Sequence, residues 1–193
     1  MKKNIISTFV VTLILFGWQA ISWMATPIHN DALKYTTTED AILSALSSNL
    51  SEPGLYSLPG HDMSKEKTQE EREADYKSML NKPWALVIYN DSFKGMNAGN
   101  MIAGLLANLV AAILVVFFLN MGKAEEKSFG GILAMVMTLP FICIFQAVIE
   151  NMIWWEFPWH FVKGTVMDLI IAWLLAGLYL GRRYRKPATA GQG

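Results

Sequence analysis

The sequence predicts an all-α membrane protein, a four-transmembrane-helix bundle with a small α+β extracytoplasmic cap inserted between helices 1 and 2. Three observations carry that expectation. Residues 5–25, 99–119, 129–149 and 162–181 are long apolar stretches; the first three carry no charge, and the last holds Asp168 with Lys163 at its edge. The basic residues of the short flanking segments fall on one side of four crossings. The single long connection is acidic and breaks into short helix and strand patterns.

Each span has the length that a bilayer demands. At a rise of about 1.5 Å per residue, roughly 20 apolar residues cross a hydrocarbon slab of about 30 Å. The chain is 53% apolar, and its 16 basic and 16 acidic residues cancel. A balanced charge argues against nucleic acid as a partner and leaves the lipid bilayer as the expected one.

Charge placement sets the expected orientation. Lys2 and Lys3 precede the first span, Lys123 and Lys127 join the second to the third, and Arg182, Arg183, Arg185 and Lys186 follow the fourth. Residues 26–98 carry seven basic and eleven acidic residues. Basic residues in short loops mark the cytoplasmic side. Both termini, including the tail 182–193, are therefore expected inside a cell inner membrane, with 26–98 outside it. A signal peptide is the rival reading of 5–25. Cleavage after Ala20 or Ala25 would place Trp18 or Trp23 where a small residue is wanted, so an uncleaved anchor is expected.

The external segment reads in four pieces. Thr38-Glu39-Asp40 opens a helix whose apolar residues Ala41, Ile42, Ala45, Leu46 and Leu50 recur at helical spacing. Leu55–Leu58 is a short extended run between two Pro-Gly turn signals. Ser64–Leu80 is dominated by charge and suits a solvated helix or a mobile segment. Trp84–Tyr89 is rich in strand formers, and the two extended runs are expected to pair. So small a unit has little core of its own.

Within the bilayer, helices associate through close packing and polar contacts. The second span carries Gly99, Ala103, Ala107 and Ala111 at intervals of four, flanked by Gly104, Asn108 and Ala112. The fourth carries Gly164, Asp168, Ala172 and Ala176. These rows predict close approach of helices 2 and 4, within one chain or by self-association. Pro140 removes a backbone donor and is expected to kink the third span.

Polar residues inside spans are the best pointers to a site. Gln19, Gln146 and Asp168 fall toward the external leaflet, Asn108 lies near mid-depth, and Glu150 follows the third span. They suggest an outward-facing polar cavity centred on Asp168; the plainer alternative is an interfacial acid that reaches water or pairs with Lys163. The loop 150–161 concentrates Trp154, Trp155, Phe157, Trp159 and Phe161, an interfacial aromatic belt or a pocket for a flat ligand. His29, His61 and His160 also face outward, and His29 and His160 are weak metal candidates because no ligand spacing accompanies them. Cys143 is alone, so there is no internal disulfide. No phosphate loop, nucleophile elbow or His-Glu-x-x-His pair occurs, and neither a catalytic residue nor a cofactor is expected.

Phe16-Gly-Trp-Gln-Ala-Ile-Ser-Trp-Met, Pro27-x-His29, Gly54-x-Tyr56-x-x-Pro59 and Trp154-Trp-x-Phe157-Pro158, ahead of a last span holding Asp168, together resemble a family of small prokaryotic inner-membrane proteins with four spans. The resemblance covers most of the chain and implies no established activity. It implies that His29, Tyr56 and the Trp154–Pro158 turn belong to one arrangement. The functional expectation is a non-enzymatic accessory or structural subunit of a larger membrane complex. The alternatives are a binding or transport protein for a small amphiphile or lipid, and then a redox or metal-binding subunit.

Overall fold

The structure is a computed structural model that describes residues 1–62 and 64–185, so Lys186 and the rest of the tail lie outside the described residues. Four of its helices are long and apolar enough to cross a membrane: α1 (Lys2–Ala25), α4 (Ala98–Met121), α5 (Phe129–Trp154) and α6 (Trp159–Tyr184). Between α1 and α4 lie α2 (Glu39–Asn49), β1 (Gly54–Leu58), α3 (Gln69–Met79) and β2 (Ala85–Tyr89).

The ends of the long helices follow from local chemistry. Helix α1 stops at Thr26, whose extended backbone is what a residue before proline prefers, and Pro27 then opens a single 3-10 turn to His29. Asn97 caps α4 by accepting the Asn100 N–H at 3.2 Å, and Ser128 caps α5 by accepting the Gly131 N–H at 3.2 Å. Pro158 is the N-cap of α6. Helix α5 contains Pro140, which cannot donate to the carbonyl one turn back. It widens into a π-type stretch over Ile144–Ile149 and closes with a last turn at Glu150–Trp154. The third span therefore extends past the expected end at residue 149, and the connection to α6 shrinks to Trp155–Pro158.

Residues 1–34 and 96–185 form one compact unit. Within it α1 packs against α4 and α6, and α6 packs against α1 and α5, so the four helices run α4-α1-α6-α5. Val11 and Leu15 of α1 share a buried core with Ala112, Val115 and Leu119 of α4, Ile132 and Val136 of α5, and Ala172, Ala176 and Leu180 of α6. At one end Tyr184 donates to Asn4 Oδ1 at 2.8 Å, and Lys3 lies over the Tyr184 ring at 4.4 Å while bonding Glu125 at 2.8 Å.

Within one chain, helix 2 packs on helix 1 rather than on helix 4, so the first of the two arrangements that the small-residue rows predict is not the one adopted. Gly99, Ala103 and Ala107 are exposed and Ala111 is half-buried, whereas the flanking Gly104, Asn108 and Ala112 face α1, Gly104 through Phe16. On α6, Gly164, Ala172 and Ala176 are buried, but large side chains fill the space beside the row. A Cβ at Gly164 would stand 2.6 Å from the His29 ring, and one at Gly177 would stand 2.8 Å from Leu133 of α5. A flat small face admits a ring or a branched side chain as readily as a second small face, so spacing alone does not name the neighbour.

Residues 35–95 form the second unit. Strands β1 and β2 pair antiparallel with Leu55 opposite Ile88, as their patterns predicted. The charge-rich stretch is a helix, set by a capping box in which Thr68 and Glu71 satisfy each other's backbone N–H groups. None of the described residues from 35 to 95 is buried, so this unit carries no core of its own.

Candidate functional site

Asp168 lies nine residues into α6, about 14 Å along the helix axis at 1.5 Å per residue. Placing an aspartate at a helix centre in a bilayer costs on the order of 2.5–3.5 kcal/mol on an insertion scale. Its side chain is 15% exposed. Three donors converge on it. Trp18 Nε1 donates to Oδ1 at 3.0 Å, the Ser22 hydroxyl donates to the same oxygen, and His29 Nε2 lies 3.0 Å from Oδ2. A carboxylate only accepts, so the hydrogen between His29 and Asp168 belongs to Nε2. A hydrogen bond to a charged group contributes about 1.5–3 kcal/mol. One such bond barely offsets the insertion cost; three exceed it.

Helix geometry explains the donors. Trp18 and Ser22 are four residues apart and share one face of α1. Beyond Ala25 the Thr26-Pro27 break turns the chain sideways, and Thr26 anchors it by donating its hydroxyl to the Ser22 carbonyl at 2.7 Å. The 3-10 turn then brings His29 back over α6. Its ring stacks on Trp23, with centroids 3.9 Å apart and planes 7° from parallel, and its Nδ1–Cε1 edge rests on the bare backbone of Gly164. The His29 side chain is 7% exposed.

Ser22, His29 and Asp168 are not a nucleophilic triad. The hydroxyl and the carboxylate both meet the same ring nitrogen, at 3.1 Å and 3.0 Å. A serine nucleophile needs one imidazole nitrogen as base while the carboxylate holds the other. Here the hydroxyl hydrogen goes to Asp168. What the arrangement does is hold a negative charge inside an apolar bundle and fasten α1, the Pro27 turn and α6 to one another.

Lys163 does not pair with Asp168. It reaches Asp31, just past the Pro27 turn, at 2.6 Å. Residues five apart on a helix point to different sides, whereas neighbours three or four apart share one. The Lys163 ammonium holds the Asp31 carboxyl below the usual carboxylate range.

The other candidates stay apart. Asn108 donates to Gln19 at 2.8 Å and to the Gly104 carbonyl at 2.9 Å, joining α4 to α1. Gln146 reaches only Glu150, at 3.4 Å, and both are exposed on α5. The Asp168, Asn108 and Gln146 groups share no hydrogen bond among the described residues. Trp154 is 76% exposed and Trp155 is also exposed, flanking a turn in which Glu156 takes a left-handed backbone at φ 52°. His160 is half-buried one turn before Gly164. Tyr56 belongs to the second unit, where it donates to the Glu52 carbonyl at 2.8 Å. Among the described residues no three His, Cys, Asp or Glu side chains gather as a metal site would require.

Comparison with protein-family models, with curated proteins and with solved structures gave no match. The site therefore rests on its own geometry.

Two outcomes follow. Gly164→Ala should push the imidazole off α6 and lower stability by about 1–3 kcal/mol, the usual cost of overpacking, measured by unfolding in mixed micelles; Gly130→Ala, whose Cβ meets nothing within 4 Å, is the control. An aspartate whose folded-state pKa lies below its unfolded value of about 3.9 adds stability that is complete above that value and is lost as pH falls through the folded one. Asp31→Asn should therefore lower stability at neutral pH, and the difference from wild type should close at pH values below the ordinary aspartate range.

Proposed function

We propose that this chain is a multi-pass protein of the cell inner membrane, with both termini cytoplasmic, that serves as a non-enzymatic accessory or structural subunit of a larger membrane complex. One observation supports this reading above others: the polar groups of α1, α4 and α6 nearest Asp168 and Asn108 are bonded to one another. Asp168 is taken up by Trp18, Ser22 and His29, and Asn108 by Gln19 and the Gly104 carbonyl. Such an arrangement braces α1 against α6 and α4, and it keeps the Ser22 hydroxyl, the His29 Nε2 and the Asp168 carboxylate bonded to one another.

Two further features agree with it. None of the described residues of the second unit is buried, and Leu55, Ile88 and Phe93 are 62%, 78% and 99% exposed, apolar surface that a partner protein would cover. The exposed Gly99, Ala103 and Ala107 give α4 a flat side on which another membrane helix could pack closely. Orientation is supported by the basic residues at the Tyr184 end, where Lys2, Lys3, Lys123, Lys127 and Arg182 meet the positive-inside pattern.

Purification of the full chain in mild detergent from its native membrane should retain a stoichiometric partner protein. A monodisperse lone monomer under conditions that preserve other membrane complexes would count against the accessory role.

A further inference from the structure

A groove of about 490 Å³ runs between α1 and α4 at the Tyr184 end of the bundle. Its walls are Ile5 and Phe9 of α1 and Ile113 and Phe117 of α4, all at least half exposed, and its floor includes the buried Val116. Asn4 and Asn120 stand at its mouth. From Leu109 to Asn120 the groove follows α4 for eleven residues, about 16 Å at 1.5 Å per residue. That is about half of a 30 Å hydrocarbon core, the depth of one leaflet.

The mouth opens into a strongly positive end. The described residues there include Lys2, Lys3, Lys123, Lys127, Arg182, Arg183 and Arg185, against Glu125 and Glu126 alone. Glu125 is taken by Lys3 at 2.8 Å, and Glu126 is 4.0 Å from Lys123. Lys2 is exposed and makes no ion pair among the described residues. The Asn4 side chain uses its oxygen to accept from Tyr184, and its Nδ2 donors have no acceptor among the described residues.

We infer that this groove is a binding site for one anionic phospholipid, its acyl chain lying along Ile5, Phe9, Ile113 and Phe117 and its phosphate held at the mouth by Lys2, Lys123 and the Asn4 amide. Charge complementarity selects the head group, because basic sites between membrane helices favour acidic lipids. The leaflet-deep apolar trough selects a lipid over a free anion. The site requires only that the four helices be in a bilayer, so it stands whether or not the accessory role does.

The test uses the full chain in nanodiscs of phosphatidylcholine with and without phosphatidylglycerol, followed by native mass spectrometry and thermal unfolding. Wild type should retain one phosphatidylglycerol per chain and unfold on the order of 5 °C higher in its presence, the shift expected for a ligand well above its Kd. Ile113→Trp, which fills the trough, should lose both effects, and Phe141→Trp, on exposed α5 surface, should keep them. The paired Lys2→Gln and Lys123→Gln variant alters only exposed side chains and should lose the preference for phosphatidylglycerol over phosphatidylcholine. Equal retention of the two lipids by wild type would mean ordinary boundary lipid and overturn the site. So would retention by Ile113→Trp, an unchanged preference in the lysine variant, or equal stabilisation by inorganic phosphate alone.

Discussion

The structure depends on one constraint: a carboxylate nine residues inside an apolar helix has to be surrounded by donors. Asp168 obtains them from Trp18, Ser22 and His29, and much of the bundle's geometry follows. Two of these residues fix which face of α1 meets α6. The third requires the chain to leave α1, turn at Pro27 and come back, and it requires residue 164 to have no side chain. Insertion cost and hydrogen-bond gain are each a few kcal/mol, so the arrangement is favourable only when it is nearly complete. The same completeness leaves the Ser22 hydroxyl, the His29 Nε2 and the Asp168 carboxylate bonded to one another.

The α1–α6 seam is closed by polar bonds at its two ends and is mainly apolar between them. The Ser7 and Thr12 side chains of α1 are also buried along that stretch. Asp168 closes one end, and Asn4, Lys3 and Tyr184 close the other. Val11, Leu15, Ala172 and Ala176 fill the middle. Lipid offers no hydrophobic drive for helix association, so polar bonds specify the register while small residues permit the approach. Glycines on α6 serve this in two directions: Gly164 receives the His29 ring, and Gly177 and Gly181 receive Leu133 and Phe129 of α5. The helices thus form a row, α4-α1-α6-α5, with the two flanking helices keeping broad exposed faces. The groove beside α4 and the row at Gly99, Ala103 and Ala107 are both consequences of that open arrangement.

Much of this was legible before any coordinates. Four long apolar runs, three without a charge and the fourth holding Asp168, leave little freedom in where the long helices lie. The Leu55 and Val87 runs paired as their strand patterns required, because turn residues bound each on both sides. The charge run became a helix through Thr68 and Glu71, a capping box that sequence shows but that charge had obscured. Partnership between helices was not legible. Spacing identified a small face on α6 without saying that a histidine ring would occupy it, and Lys163 looked like a partner for Asp168 only while helical phase was ignored. The donors themselves stood in plain view as Trp18, Ser22 and His29. What hid their convergence was the Pro27 turn, whose direction depends on three-dimensional packing.

The convergence on Asp168 is most directly read from the Trp18 indole N–H. The chain has seven tryptophans, so a Trp18→Phe sample assigns that resonance in a nitrogen–proton spectrum of the protein in lipid. The account predicts that the Trp18 indole hydrogen is protected from exchange and displaced downfield, and that Asp168→Asn moves it upfield and speeds its exchange. A Trp18 resonance that exchanges freely, or that ignores the loss of the Asp168 charge, would contradict it.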